Sequence, residues 1–307
     1  MRRASIVVFL TAIAWTHSLA AAAFREGDVV VAGYVGDGVF APAVGKIREF
    51  APDGSLVQEF SKSAFDLKFS PAGVLHGASG GGVIRIASDG TLLTPLLAPT
   101  PEVLHWLAFN RAGELFAATP YGSVVRFGGD GSARGTIMLP GVSNTEGIDL
   151  GGDQCTLYYL RRPPPQIGRY DVCTNTSLAP LPTVLGDTGR TLLVLVDGTL
   201  FVTGFHGDMY RISADGTVLR HYATHALAYA RDANPNFIWI TTGASSFAKF
   251  DLQNDVLAAG PFNAGVDDIT GIAIVGADVQ SIPILTPYLL VFFGFVLACA
   301  AALRLRT

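Results

Sequence analysis

Six positions along the chain carry side chains that could do chemistry at a common place. They are Phe65, His105, Glu146, Arg190, His225 and Thr270, spaced 35–45 residues apart. Trp106 adjoins His105, Asn144 precedes Glu146, and Asp267 and Asp268 precede Thr270. Imidazoles and carboxylates gathered on one rim could hold a divalent cation, calcium or magnesium, with Glu146, His225 and Asp267 as ligands. His105, Glu146 and His225 could equally serve as general acid and base. A third use is binding alone, by His105, Trp106, Asn144, Glu146, Arg190, His225, Asp267 and Asp268. The plain alternative is a hydrated polar rim whose histidines are simply hydrogen-bonded.

Even spacing needs a repeated element to produce it. One recurs: a small or apolar residue, then Arg or Lys, then an apolar residue, then a turn. Arg48, Arg85, Arg126, Arg169, Arg211 and Lys249 mark its six copies, 37–43 residues apart. The turns include Asp53-Gly54, Asp89-Gly90, Asp130-Gly131 and Asp215-Gly216. Asp-Gly between alternating apolar runs predicts tight hairpins of the type I′ kind. A second element keeps step, an apolar strand, a turn and another strand, as in Phe65–Phe69 with Val74–His76 and Leu107–Phe109 with Glu114–Phe116. Four short strands per period, without helical spacing, predict an all-β, six-bladed β-propeller over 24–281. The first period lacks an inner strand, whereas 271–275 repeats the inner-strand pattern after the sixth. Residues 271–275 are therefore expected to supply the innermost strand of blade 1 and close the ring by strand exchange. A pair of β-sandwiches is the rival architecture. The repeated basic residues are expected on a solvated strand face or in pairs between blades.

The repeat wording is similar to that of NHL-type and gluconolactonase-like (senescence-marker-type) six-bladed propellers. That resemblance implies a site at the mouth of the central channel. The gluconolactonase-like propellers bind a metal through Glu, Asn and Asp; at the positions matching Asn and Asp this chain has Glu146 and Arg190. Streptogramin-lyase-type propellers use His and Glu with magnesium, and His105, Glu146 and His225 are similar to these in type and blade spacing.

Both ends predict addresses. Arg2 and Arg3, an apolar run from Ile6 to Trp15 and the small residues Ala20–Ala23 predict a secretory signal peptide over 1–23. At 282–307, Ile282-Pro283-Ile284-Leu285 leads into 18 uncharged residues, Thr286–Leu303, and then Arg304 and Arg306. Eighteen helical residues span about 27 Å, enough for a transmembrane helix. The layout resembles bacterial protein-sorting tails of the IPTL and PEP type. It implies an exported body at the cell envelope, held by its tail or released after processing.

The whole chain has 307 residues, is 50% hydrophobic and only 15% charged, and carries a net charge of −4. Setting aside Arg2, Arg3, Arg304 and Arg306 leaves 17 basic against 25 acidic residues in the body. That balance argues against nucleic-acid partners. Cys155 and Cys173 sit at the outer ends of one hairpin and, in an exported protein, are expected to form a disulfide; Cys299 lies in the apolar tail. Gly77-Ala78-Ser79-Gly80-Gly81 matches a nucleophile-elbow pattern, but a strand follows where a helix is required, so it is expected to be a turn. Taken together, the residues favour an envelope-tethered module binding a small molecule or an envelope protein. A metal-assisted lyase or lactonase-like hydrolase is the alternative, and a purely structural surface domain is the third.

Overall fold

A computed structural model describes residues 22–277, except 37–43, 99–102, 143, 163–165, 184–188, 205–206 and 224–225. Residues 1–21 of the expected leader and the whole of 282–307 lie outside the described residues. No described helix is long and apolar enough to cross a membrane.

Twenty-four strands form six four-stranded antiparallel sheets, the blades of a propeller. Blades 2 to 6 each use four consecutive strands. Their inner strands are Leu67–Phe69, Trp106–Phe109, Asn144–Leu150, Gly189–Val194 and Tyr229–Arg231. Blade 1 takes its inner strand, Asp268–Ile274, from the far end of the chain, against Val29–Val35. This is the strand exchange expected from 271–275. It covers the inner edge of Val29–Val35, which would otherwise be left unpaired.

The core follows from strand alternation. Successive side chains of a strand point to opposite faces, and here each face meets a different neighbour. Val29 and Val31 join a cluster with Trp239 and Phe247 of blade 6. Val30 and Ala32 join Leu67, Phe69 and Leu75 of blade 2. Six such clusters fill the six interfaces between blades. Burial on both faces is why the inner strands are apolar runs rather than alternating ones.

The Asp-Gly turns differ from the type I′ expectation. Only the glycine takes positive φ, 82° at Gly90 and 81° at Gly131, while Asp89 and Asp130 keep ordinary φ. The cause is local. The Asp89 carboxylate accepts the Thr91 N–H at 2.9 Å, and Gly90 N–H bonds the Ala87 carbonyl. That is a type I turn closed by a left-handed glycine. Gly77–Ser79 ends a strand, Gly80 and Gly81 turn, and Gly82–Ile86 is the next strand, so the serine pattern belongs to a hairpin.

Cys155 and Cys173 are bonded, with Cα atoms 5.3 Å apart and a sequence separation of 18. In the chain-entropy argument a loop of this length is worth about 3 kcal/mol. Replacing both cysteines by serine should lower the unfolding free energy by about that amount in urea titrations. An unchanged midpoint would show that the bridge merely decorates the edge of blade 4.

Candidate functional site

The inner strands begin with irregular pairing at the same end of the channel. Register shifts fall at Gly147 in blade 4, at Arg190 in blade 5 and at Thr270 in blade 1. In blade 2, the Phe65 N–H and Asp66 carbonyl both bond Ala78. In blade 3, His105 N–H bonds the carbonyl of Ala118, the residue paired with Trp106. An extra residue in one strand bends it and re-aims its side chain. In these five blades the irregular starts bring one residue each to a common cavity wall. At Gly147 the bulge needs φ +54°, and an added Cβ would lie 2.8 Å from the Leu192 nitrogen, so glycine is required there.

The result is a cavity of about 380 Å³ at the channel mouth. Phe65, His105, Trp106, Asn144, Glu146, Arg190 and Thr270 all line it. Of the residues expected at the rim, His225 lies outside the described residues. Asp267 and Asp268 stand beside the cavity rather than in its wall; the Asp267 carboxylate accepts the Gly36 N–H at 2.6 Å.

One wall is aromatic. His105 stacks on Phe65 with ring centres 4.2 Å apart and meets Trp106 edge-on at 5.0 Å. Burial pushes the His105 imidazole pKa down, favouring the neutral ring. The opposite wall is charged. Glu146 pairs with Arg162, which crosses from the neighbouring strand of blade 4. Burial pushes the Glu146 carboxyl up, and Arg162 and Arg190 pull it back. Burial likewise raises Asp268, and Arg190 opposes this. Deeper in the channel, Asp66 accepts the Leu107 and Leu67 N–H groups. The Asn144 Oδ1 is buried with no donor in reach.

A cation site does not assemble from the described residues. No three ligating side chains around the cavity come within 4.8 Å of one another; the one such group is Cys155, Asp171 and Cys173, whose thiols are spent in the disulfide. Of the three expected ligands, Glu146 is committed to Arg162, Asp267 accepts the Gly36 N–H beside the cavity, and His225 is not described.

Arg162, Asp66 and Tyr229 also line the cavity and were not expected from the sequence. Arg162 was open to discovery. It pairs directly across from Asn144, which puts it diagonal to Glu146 on the same face. Tyr229 belongs to an inner strand of only three residues, too short for alternation to reveal its direction.

Nothing matches the chain among protein-family models or among curated proteins. Solved structures do. A Bacteroides caccae protein of unknown function superposes with TM-score 0.65 at 12% identity, over 82% of this chain and all of that one. A chain of a nidogen/laminin complex gives 0.64 at 16% identity, over 82% of this chain and 99% of that one. Virginiamycin B lyase from Staphylococcus aureus gives 0.54 at 17%, over 77% of this chain and 85% of that one. At such identities the likeness speaks for the propeller fold alone.

Proposed function

We propose that this protein is an exported, envelope-tethered binding module whose channel mouth holds a small, uncharged, ring-bearing ligand such as a sugar unit. The observation that carries this reading is the opposition of the two walls. The apolar face of a ring would lie on Trp106 and the His105–Phe65 stack. Its hydroxyls would meet Asn144 Oδ1, which lacks a donor, and the ends of the Glu146–Arg162 pair. The wall carries two acids, Asp66 and Glu146, and two bases, Arg162 and Arg190, a balance that favours a neutral polar ligand over an ion. Apolar walls with a few fixed polar groups are the usual make-up of small-molecule sites, and 380 Å³ falls within their range.

The chain has an internal reporter. Of its three tryptophans, Trp15 falls in the proposed leader; of the two described, Trp239 is fully buried and Trp106 lines the cavity. Titrating the full-length protein in detergent with glucose and with N-acetylglucosamine should change tryptophan emission saturably. Trp106→Phe should remove the signal, and Asn144→Ala should weaken binding about tenfold, the worth of one buried hydrogen bond. No saturable response to either sugar would reject this ligand class.

The lyase reading is favoured by one observation, His105 and Glu146 on the wall of the same cavity, where burial pushes the imidazole pKa down and the carboxyl pKa up. A base and an acid poised this way suit proton transfer. It predicts turnover of virginiamycin B that His105→Ala abolishes; intact substrate after prolonged incubation rejects it.

A further inference from the structure

A second cavity, of about 220 Å³, opens between blades 2 and 3 on the face opposite the channel mouth. It sits under the turns that join inner strands to their neighbours. Its wall includes Arg85, Arg111 and His76, together with Val74, Phe109 and the Gly128–Gly129 backbone, and it includes no Asp or Glu.

The propeller repeat shows what this place holds elsewhere. Arg85 is the basic residue that recurs once per blade. In blade 3 its counterpart Arg126 binds Glu114, in the turn of its own blade, and reaches the Val172 carbonyl of blade 4 at 3.5 Å. In blade 5, Arg211 binds Asp197 at 2.9 Å and reaches the Leu252 carbonyl of blade 6 at 3.4 Å. In blade 6, Lys249 pairs with Asp232 at 2.8 Å, and in blade 1 Arg48 pairs with Glu59 at 2.7 Å. The turn of blade 2 reads Ser70-Pro71-Ala72-Gly73-Val74 where that of blade 3 reads Asn110-Arg111-Ala112-Gly113-Glu114. Val74 thus stands where Glu114 would supply the acid. No hydrogen bond or ion pair joins Arg85 to any described residue, and its Nε is buried without a partner. A buried guanidinium nitrogen in that state is costly.

We infer that this cavity is an anion site, in which a small oxyanion, a carboxylate or a phosphate group, takes the place of the missing blade 2 acid and forks onto Arg85. Guanidinium groups are suited to such planar, two-point recognition. Shape alone does not create the site. The corresponding crevice between blades 5 and 6 is also open, about 370 Å³ and lined by Arg211, but Asp197 neutralises it from within.

The test is calorimetric titration of the full-length protein with inorganic phosphate and, separately, with acetate, at ionic strength held constant with sodium chloride. Saturable binding of at least one is expected, and the two arms tell phosphate from carboxylate. Arg85→Gln should weaken it about tenfold or more. Val74→Glu, which restores the acid of blade 3, should abolish it while raising Tm in anion-free buffer, and this arm stands even where Arg85→Gln fails to fold. Arg211→Gln should leave it unchanged. Failure of both anions to bind, or binding that survives Arg85→Gln and Val74→Glu alike, overturns the site. Sugar binding at the opposite face is read separately, so neither result stands in for the other.

Discussion

Gly271→Val should unfold the ring at its closure. Gly271 lies in the inner strand that the end of the chain lends to blade 1. A Cβ there would sit 2.9 Å from Asp66 Cα, 3.0 Å from Leu67 N and 3.1 Å from Asp66 C, all backbone atoms of the next inner strand. Backbone cannot rotate aside as a side chain can, so the strand must lift from blade 2. Lifting it uncovers Ile269, Ile272 and Ile274, each at most 1% exposed. Overpacking of this kind costs 1–3 kcal/mol by itself. With loss of the closing strand's burial, a total above about 3 kcal/mol is expected, and a fall in Tm of more than about 6 °C. Gly81→Ala is the control, since nothing lies within 4 Å of a Cβ at that turn. Equal melting of both variants would mean that the ring does not depend on closure at this contact.

The same glycine shows how much of the molecule was legible in the sequence. Blade number, the exchanged strand and the Cys155–Cys173 bridge all follow from periodicity and hairpin pairing, which depend on local alternation. Five of the six spaced rim residues, Phe65, His105, Glu146, Arg190 and Thr270, line one cavity, because each falls where an inner strand begins and bulges. The bulges themselves were hidden. A register shift at Gly147 or Arg190 is set by the partner strand and by the next blade's backbone, neither of which a single strand reveals. The paired state of Glu146 was within reach of the sequence, since Arg162 stands diagonal to it across one hairpin. The Asp-Gly turns were recognised as turns and assigned the wrong type, because the aspartate's own carboxylate chooses the φ. The repeated arginines were expected on a strand face or in pairs between blades. Arg48, Arg126 and Arg211 combine an acid of their own blade with carbonyls of an adjacent one.

Asp149→Ala should be nearly as damaging as the closure variant, for an electrostatic reason. Asp149 is the penultimate residue of the inner strand of blade 4, and three blades meet on it. Its carboxylate accepts the Leu150 N–H of its own strand at 2.9 Å and the Val194 N–H of blade 5 at 2.8 Å. It also pairs with Arg231 of blade 6, whose Nε bonds the Val194 carbonyl at 2.8 Å. Only 6% of the Asp149 side chain and 12% of Arg231 is exposed. Truncation removes a carboxylate bound to a buried guanidinium and strands a buried amide, a loss of about 3–5 kcal/mol. Replacing both members, Asp149→Ala with Arg231→Met, takes the buried guanidinium away together with its carboxylate, so the double variant should recover part of the loss. Urea unfolding of the two single variants and the double gives the coupling directly. A cycle showing no coupling, with Asp149→Ala costing less than about 1 kcal/mol, would mean that water screens the pair and that apolar contacts alone hold blades 4, 5 and 6 in register. Strong coupling would instead make the channel's polar interior a structural element in its own right, the part that keeps the inner strands aligned while their outer ends open into the cavity.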